Sequence, residues 1–440
     1  MPWGSPKGSW VAERAIVIRG GTVVDGSGSR VADVAVNDGL ITAVEPTIEA
    51  GAGVLVLDAS GCVVAPGLVD LHVHLREPGR EQAETVETGS RAAALGGFTA
   101  LVAMPNTEPA IDCAAVARQV IELGRRSALC DVHVAGAITV GREGRQLSPM
   151  AELAELGVHM FTDDGSGVQD SRLMRRALEY GRALGITLAQ HCEDLDLAAG
   201  GHMHEGAWSS RLGIAGIPAE AEELMVMRDI ALCRLTGAPI HFLHLSTAGS
   251  VAMVGAAKSQ GLPVTSEAAP HHFTLTDASV QTFDTVFKVN PPLRTDGDVG
   301  AVRRGLASGA IDAIATDHAP HTQEVKEAPW DDAPPGMLGL ETALPLALGE
   351  LDLPIEQVLA LMSWQPARIA GIADRHGGPI TAGRPANIVV IDPAHRWVVE
   401  ADRLASRSHN TPYAGRELTG RARHTICGGD AVVVGGEATR

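Results

Sequence analysis

Eight short apolar runs, spaced through the middle of the chain and each followed by a helix-compatible stretch, constrain the fold more than any other feature. They are VAPGLVDLH, FTALVAM, DVHVAGA, VHMFTD, ITLAQH, IHFLHLS, PVTSEA and IDAIATD. Among the intervening segments, AVARQVIELGRR, SRLMRRALEYGRAL and AEELMVMRDIALCRL repeat their apolar residues with a helical period. Strands that read as nearly continuous apolar runs must be covered on both faces, which strand–helix alternation achieves with a parallel sheet. A closed (β/α)8 barrel and an open doubly wound sheet both alternate in this way. No Gly-x-Gly-x-x-Gly follows the first run, so the dinucleotide-binding open sheet has little support. The expected fold class is therefore α/β, a (β/α)8 TIM-like barrel over residues 66–374.

The two ends have a different texture. Residues 14–65 carry AIVIRGGTVV, VADVAVNDG and LITAVEP, and residues 375–440 carry ANIVVIDP, RWVVE, ARHTIC and AVVVGG. Each end is too short for a comfortable core of its own, so the two are expected to pair into one small composite β-sandwich. Residues 1–13 read as a flexible tail.

A formal charge of −18 and an aromatic content of 3% argue against a nucleic-acid partner, which calls for a basic face and stacking rings. The apolar runs are too short and too interrupted to span a membrane. MPWGSPKGSW lacks the basic start and apolar core of a secretion signal, and the six cysteines show no Cys-x-x-Cys spacing. A cytoplasmic protein is expected.

Polar residues cluster where the runs end. The first ends in Asp70-Leu-His72-Val-His74, the fourth in Asp163-Asp164, the fifth in His191, the sixth in His244 and the eighth in Asp317-His318. Barrel enzymes assemble their sites from this end of their strands. His72 and His74, two apart, point the same way at a strand end. A single histidine beside an apolar run is most often a hydrogen-bonded structural residue. Five separate strand ends offering imidazole or carboxylate make a site for zinc or a similar divalent ion the better account.

The motifs LHVHLREPG, AMPNT, FTDDG, AQHCED, HEG, PHH, NPPLR, ATDHAPH and MLGLET, in this order and spacing, resemble the amidohydrolase superfamily and, within it, the dihydroorotases. The resemblance runs from about residue 15 to the C-terminus and is most specific at LREPG and ATDHAPH. It implies a barrel flanked by a β-sandwich, one or two zinc ions per chain, and metal ligands His72, His74 and Asp317 around one ion with His191 and His244 around the other. Hydantoinases and allantoinases bridge two metals with a carboxylated lysine. This chain has no lysine between Lys7 and Lys258, and the resemblance to the aspartate-bridged dihydroorotases gives the bridge to Asp164, with Asp163 behind it.

By the same resemblance, Arg76, Asn106 and His321 hold a substrate carboxylate, His74 borders the substrate, and Asn290, Pro335 and Gly336 contact the ring. A guanidinium suits a carboxylate because it can donate two parallel hydrogen bonds. Arg76 could instead pair with Glu77 or Glu84, and Asn290, Pro335 and Gly336 also fit ordinary turns. Residues 322–336 fit either a lid or a surface loop. His204, in HEG, carries no ligand assignment.

The implied reaction is the reversible hydrolysis of (S)-dihydroorotate to N-carbamoyl-L-aspartate in pyrimidine biosynthesis, by metal-activated hydroxide with Asp317 as general base and acid. The implied partners are the small-molecule substrate and product, with a homodimer and a complex with aspartate transcarbamoylase left open. Two alternatives stand beside this: a hydantoinase- or allantoinase-type hydrolase, and a non-catalytic companion of aspartate transcarbamoylase. The missing lysine and the present arginine count against the first, and the filled ligand positions against the second.

Overall fold

Each of the eight apolar runs contains a strand in the computed structural model, which describes residues 15–440. The expected tail, residues 1–13, lies outside the described residues. The strands are β1 (Leu68–Val73), β2 (Phe98–Ala103), β3 (Asp131–Val134), β4 (Met160–Phe161), β5 (Thr187–Gln190), β6 (Ile240–Phe242), β7 (Val264–Ala268) and β8 (Ala313–Ile314). All their pairings are parallel, and they form two sheets, ordered β3-β2-β1 and β4-β5-β6-β7-β8. Single parallel bridges, Gly136 to Phe161 and Val73 to His318, link the outer strands of one sheet to those of the other.

The alternation of side chains along these strands divides the core. On β2 and just beyond it, Ala100, Val102 and Met104 join Val69, Leu71, Met160 and Leu243 in one cluster. Leu101 and Ala103 point the opposite way, into a larger cluster that takes in the helices. The segments of helical period form helices at Ala114–Ser127, Ser171–Leu184 and Glu220–Thr236. Ser171–Leu184 shows why. Asp170 accepts a hydrogen bond from Leu173 N at its start, Gly185 closes it at φ 71°, and Met174, Ala177, Leu178 and Gly181 bury one stripe. Burying a side chain such as Leu178 contributes about 1.5–3 kcal/mol.

Strands from both ends of the chain share one sheet. Val63–Pro66 pairs antiparallel with Ile388–Val398 and parallel with Thr22–Asp25, and the sheet continues through Glu417–Cys427 and Asp430–Val434. A second sheet carries Ile16–Arg19, Asp33–Asn37, Leu40–Glu45 and Leu55–Asp58. Ile16, Ile18, Val34 and Val36 of the second sheet pack with Val64, Ile388, Val390 and Ile426 of the first. ANIVVIDP and RWVVE, separate runs in the sequence, are one strand with a register shift between Asp392 and Arg396. Pro393 lies inside that shift, where it removes a ladder donor. No helix among the described residues is long and apolar enough to cross a membrane.

Candidate active site

The C-terminal ends of β1, β4, β5, β6 and β8 converge on one buried carboxylate. Asp164, 3% exposed, lies 3.4 Å from His72 Nε2, 3.6 Å from His74 Nε2, 3.5 Å from His191 Nδ1 and 3.6 Å from His244 Nε2. Asp317 lies 3.1 Å from His74 Nε2 and 3.6 Å from His72 Nε2. Burial alone would raise the Asp164 carboxyl, but His72 first, then His191 and His244, hold it well below its usual range. Asp317 is likewise driven down against burial, chiefly by His74 and His72. In return, Asp164 outweighs burial at His72 and raises that imidazole, while Asp164 and Glu193 raise His191 to about 10.

Two acceptors behind the histidines set which nitrogen faces the centre. His72 Nδ1 donates to Glu267 at 2.9 Å, and Glu267 also accepts from His241 Nε2 at 3.0 Å. His74 Nδ1 donates to Asn106 Oδ1 at 2.9 Å. Each bond occupies Nδ1 and turns Nε2 toward the carboxylates, the nitrogen that a metal would take in place of its proton. His72 Nε2 is buried with no hydrogen-bond partner.

Two groups of donors satisfy a metal-ligand spacing here: His72 with His74 and Asp317, and His72 with Asp164 and His244. His191 completes the ring around Asp164. Four imidazoles crowded on two carboxylates suit a divalent cation, which would take the place of the imidazole protons. The geometry gives His72 a part in both groups, where the sequence assigned it to one.

Arg76, His321, Pro335 and Gly336 come together beside this centre. Arg76 is 8% exposed at φ 59°, and its Nε donates to Pro320 O at 3.1 Å. Its Nη2 lies 3.2 Å from His321 Nε2, which is also 2.9 Å from Pro335 O. Nε2 cannot both donate to Pro335 and accept from Arg76, so only one of these two contacts can be a hydrogen bond. Among the described residues neither Glu77 nor Glu84 pairs with it. Glu77 accepts from Val86 N, and Glu84 binds His318, Ser406 and Thr88. Burial, and then the Arg76 charge, push the His321 imidazole down to about 2.

Gly336 stands at φ 139°, where a Cβ would meet Ala319 Cβ at 2.8 Å and His321 Nε2 at 2.9 Å, so only glycine fits this approach. Asn106 uses its Oδ1 on His74. Asn290 donates to Glu193 at 2.6 Å, and its Oδ1 is buried without a partner.

Other strand-end polar residues turn away. Asp163 accepts from Thr139 N and its hydroxyl, and His318 lies 3.2 Å from both Glu84 and Gly339 N. His204 lies 3.1 Å from Arg294. Sequence reasoning passed over Glu267, which holds His72, and His271, whose buried Nε2 lacks a hydrogen-bond partner 4.0 Å from Asp317. The acid within PVTSEA was the available signal for Glu267, and the pair in PHH for His271. The chain's lysines other than Lys7 are engaged elsewhere: Lys258 with Asp312, Lys288 with the carbonyls of Trp330 and Asp331, and Lys326 with those of Lys288, Pro334 and Gly336.

Residues 61–250 match the Dihydro-orotase-like family. The dihydroorotase of Pelotomaculum thermopropionicum is 50% identical over 95% of this chain and 98% of its own length. That of Streptomyces coelicolor is 48% identical over 96% of this chain and 99% of its own. Among solved structures, the L-hydantoinase (dihydropyrimidinase) from Arthrobacter aurescens superposes with a TM-score of 0.87 at 25% identity, covering 98% of each chain. The D-hydantoinase (dihydropyrimidinase) from Thermus sp. gives 0.82 at 25% identity, with 96% of each covered. The solved hydantoinases share the architecture at a quarter identity, whereas the dihydroorotases share about half of all residues from end to end, and on that ground the chain belongs to the dihydroorotase family.

Proposed function

We propose that this chain opens the ring amide of (S)-dihydroorotate with water to give N-carbamoyl-L-aspartate, and closes it in the reverse direction for pyrimidine synthesis. The observation that carries the reading is Arg76: a buried guanidinium beside the histidine–carboxylate centre, without an ion-pair partner among the described residues. Dihydroorotate carries a carboxylate, and dihydrouracil and hydantoin do not. The lysine contacts support an aspartate bridge, since Asp164 stands in reach of all four imidazoles while Lys258, Lys288 and Lys326 bind elsewhere.

In this reading, one or two zinc ions are held by His72, His74, Asp317, Asp164, His191 and His244. When bound, the metal supplies Lewis acidity that activates water and polarises the ring carbonyl. Asp317 takes the proton of the attacking water and passes it to the departing ring nitrogen. Its position against His74 and His72 keeps it ionised, as a base must be. Arg76 and His321 orient the substrate carboxylate, which fixes the ring amide against the centre. Asn106 joins them through its amide NH2 while its Oδ1 holds His74, and Pro335, Gly336 and Asn290 border the ring.

The same reading joins the two parallel sheets through their single bridges into a closed (β/α)8 barrel over 66–374, with the end strands, 14–65 and 375–440, as a composite β-sandwich. The shared end sheet and its apolar packing against the second sheet support the division.

The deciding experiment measures turnover of dihydroorotate, dihydrouracil and hydantoin by the metal-loaded protein. Strong preference for dihydroorotate is expected. Equal turnover of hydantoin or dihydrouracil would overturn the substrate assignment and leave the amidohydrolase chemistry standing. No turnover of any of the three by metal-loaded protein would favour a non-catalytic companion.

A further inference from the structure

At the opposite end of the parallel strands from this centre, β3 begins with a second group of metal-type donors. Val132 and Val134 turn toward the helices and join the large core cluster, which points Asp131 and His133 to the other face. There they meet His376, which is wholly buried in the segment leading to the C-terminal sheet. One donor atom from each of Asp131, His133 and His376 lies within 4.8 Å of the other two.

Asp131 Oδ2 is 2.9 Å from His376 Nε2 and 2.9 Å from Arg375 Nη2. The other ring nitrogen of His376 is 3.2 Å from Thr99 Oγ1, a contact that fixes the ring as an outer hydrogen bond fixes a metal ligand. The rings of His133 and His376 stand 6.1 Å apart at 89°. His133 Nε2 is buried with no hydrogen-bond partner. An ion-pair network of Asp131, Arg375 and His376 accounts for three of these groups and leaves that nitrogen unexplained.

We propose that Asp131, His133 and His376 form a second metal site, for Zn2+ or a similar late transition ion, that ties the start of β3 to the segment entering the C-terminal sheet. Two imidazoles and a carboxylate are the donor set such ions prefer, with the fourth position left to water. Ligand bonds of about 2.0–2.1 Å put tetrahedral donors about 3.4 Å apart, so the three atoms must close by about 1.4 Å at most. Arg375 is the competitor for Asp131. Its side chain is 57% exposed and can swing into water at little cost. A metal on His376 Nε2 requires the proton of the neutral ring to sit on Nδ1, where Thr99 Oγ1 is in reach to accept it.

The test strips the full-length protein of metal, reloads it with Co2+, and counts ions per chain by elemental analysis. Wild type should bind one more ion per chain than His133→Ala, with dihydroorotate turnover unchanged within about twofold. His133→Cys should recover the lost ion and add a near-ultraviolet thiolate-to-Co2+ band. Equal ion counts in wild type and His133→Ala would overturn the site. If His133→Ala does not fold, the cysteine variant decides alone: the new band supports the site, and a folded, Co2+-loaded His133→Cys without it overturns the site.

Discussion

Replacing Arg76 with methionine separates the choice of substrate from the rest of the chemistry. Methionine keeps much of the length and apolar volume of the arginine stem and removes its charge. The guanidinium is 8% exposed with Pro320 O and His321 Nε2 as its neighbours, and it forms no ion pair among the described residues. A substrate carboxylate would supply two charge-assisted hydrogen bonds. Each is worth about 1.5–3 kcal/mol, and adjacent bonds need not add fully. At 1.4 kcal/mol per decade, Arg76→Met should therefore lower kcat/KM on dihydroorotate by at least about tenfold.

The assay runs wild type and variant on dihydroorotate and on dihydrouracil, which is the same ring without the carboxylate. Dihydrouracil turnover should hardly change, because no partner is lost. Thermal denaturation gives an independent readout. At a concentration 100 times the wild-type Kd, a ligand stabilises wild type by about 2.7 kcal/mol, and a tenfold weaker site gains about 1.4 kcal/mol. Without ligand the variant should be no less stable than wild type, since it no longer buries an unpaired charge. Equal slowing on both substrates, or an undiminished ligand-induced shift in Tm, would refute the role given to Arg76.

Asp317→Asn keeps shape and removes the basic site, so turnover should fall by about 10²–10⁴-fold, and normal turnover with metal retained would show that Asp317 is not the base. Activity should be independent of bicarbonate, with no lysine carrying an added carboxyl group by intact mass, while Asp164→Ala should lose metal by elemental analysis. Glu267→Gln should weaken metal binding by about 10–100-fold in chelator competition, because His72 loses the acceptor that orients its ring. Burial pushes the Glu341 carboxyl up to about 7, so its contribution to stability is present below the unfolded pKa and is lost as pH rises through 7. Glu341→Gln should gain on wild type in denaturant titrations between pH 4.5 and 7, by about 3 kcal/mol at most, and a gap that does not change with pH would contradict this.

The donors at the ends of β1, β4, β5, β6 and β8 were legible because parallel strands offer their C-terminal ends to one face, so polar residues there needed no contact map to be grouped. His72 and His74 share a direction by parity alone. Asp163 and Asp164, being adjacent, must face opposite ways, but parity does not say which faces in, and the Thr139 contacts that settle it come from another strand. Glu267 was only faintly legible for a related reason. It lies 195 residues from His72 and 26 from His241 in sequence, and a lone acid after Thr-Ser reads as an ordinary strand end. In the end strands, β-branched texture indicates strands but not partners. The register of Val63–Pro66 on Ile388–Ile391 joins residues more than 300 apart, and the single strand through Pro393 was hidden because a proline inside an apolar run argues for a break.

Three residues at the centre, Arg76, His244 and Asp317, hold φ values of 59°, 29° and 48°, a region non-glycine residues seldom enter. Such conformations cost about 1–3 kcal/mol each and persist only where neighbours over-determine them. The neighbours of Asp317 show how. Thr316 donates its N–H and hydroxyl to Asp70, which also accepts from His72 N. His318 lies against Glu84, and its carbonyl accepts from His74 N. The residues on either side of Asp317 are thus bonded to β1 and its loop, so the carboxylate is set against His72 and His74 by backbone contacts independent of any ion. Burial pushes Asp70 up to about 7 even with these bonds, which is a cost borne by the fold to fix the ends of β1 and β8 together. Strain and a costly buried acid converge on the residues that must face one another, so the fold itself sets Asp317 against His72 and His74.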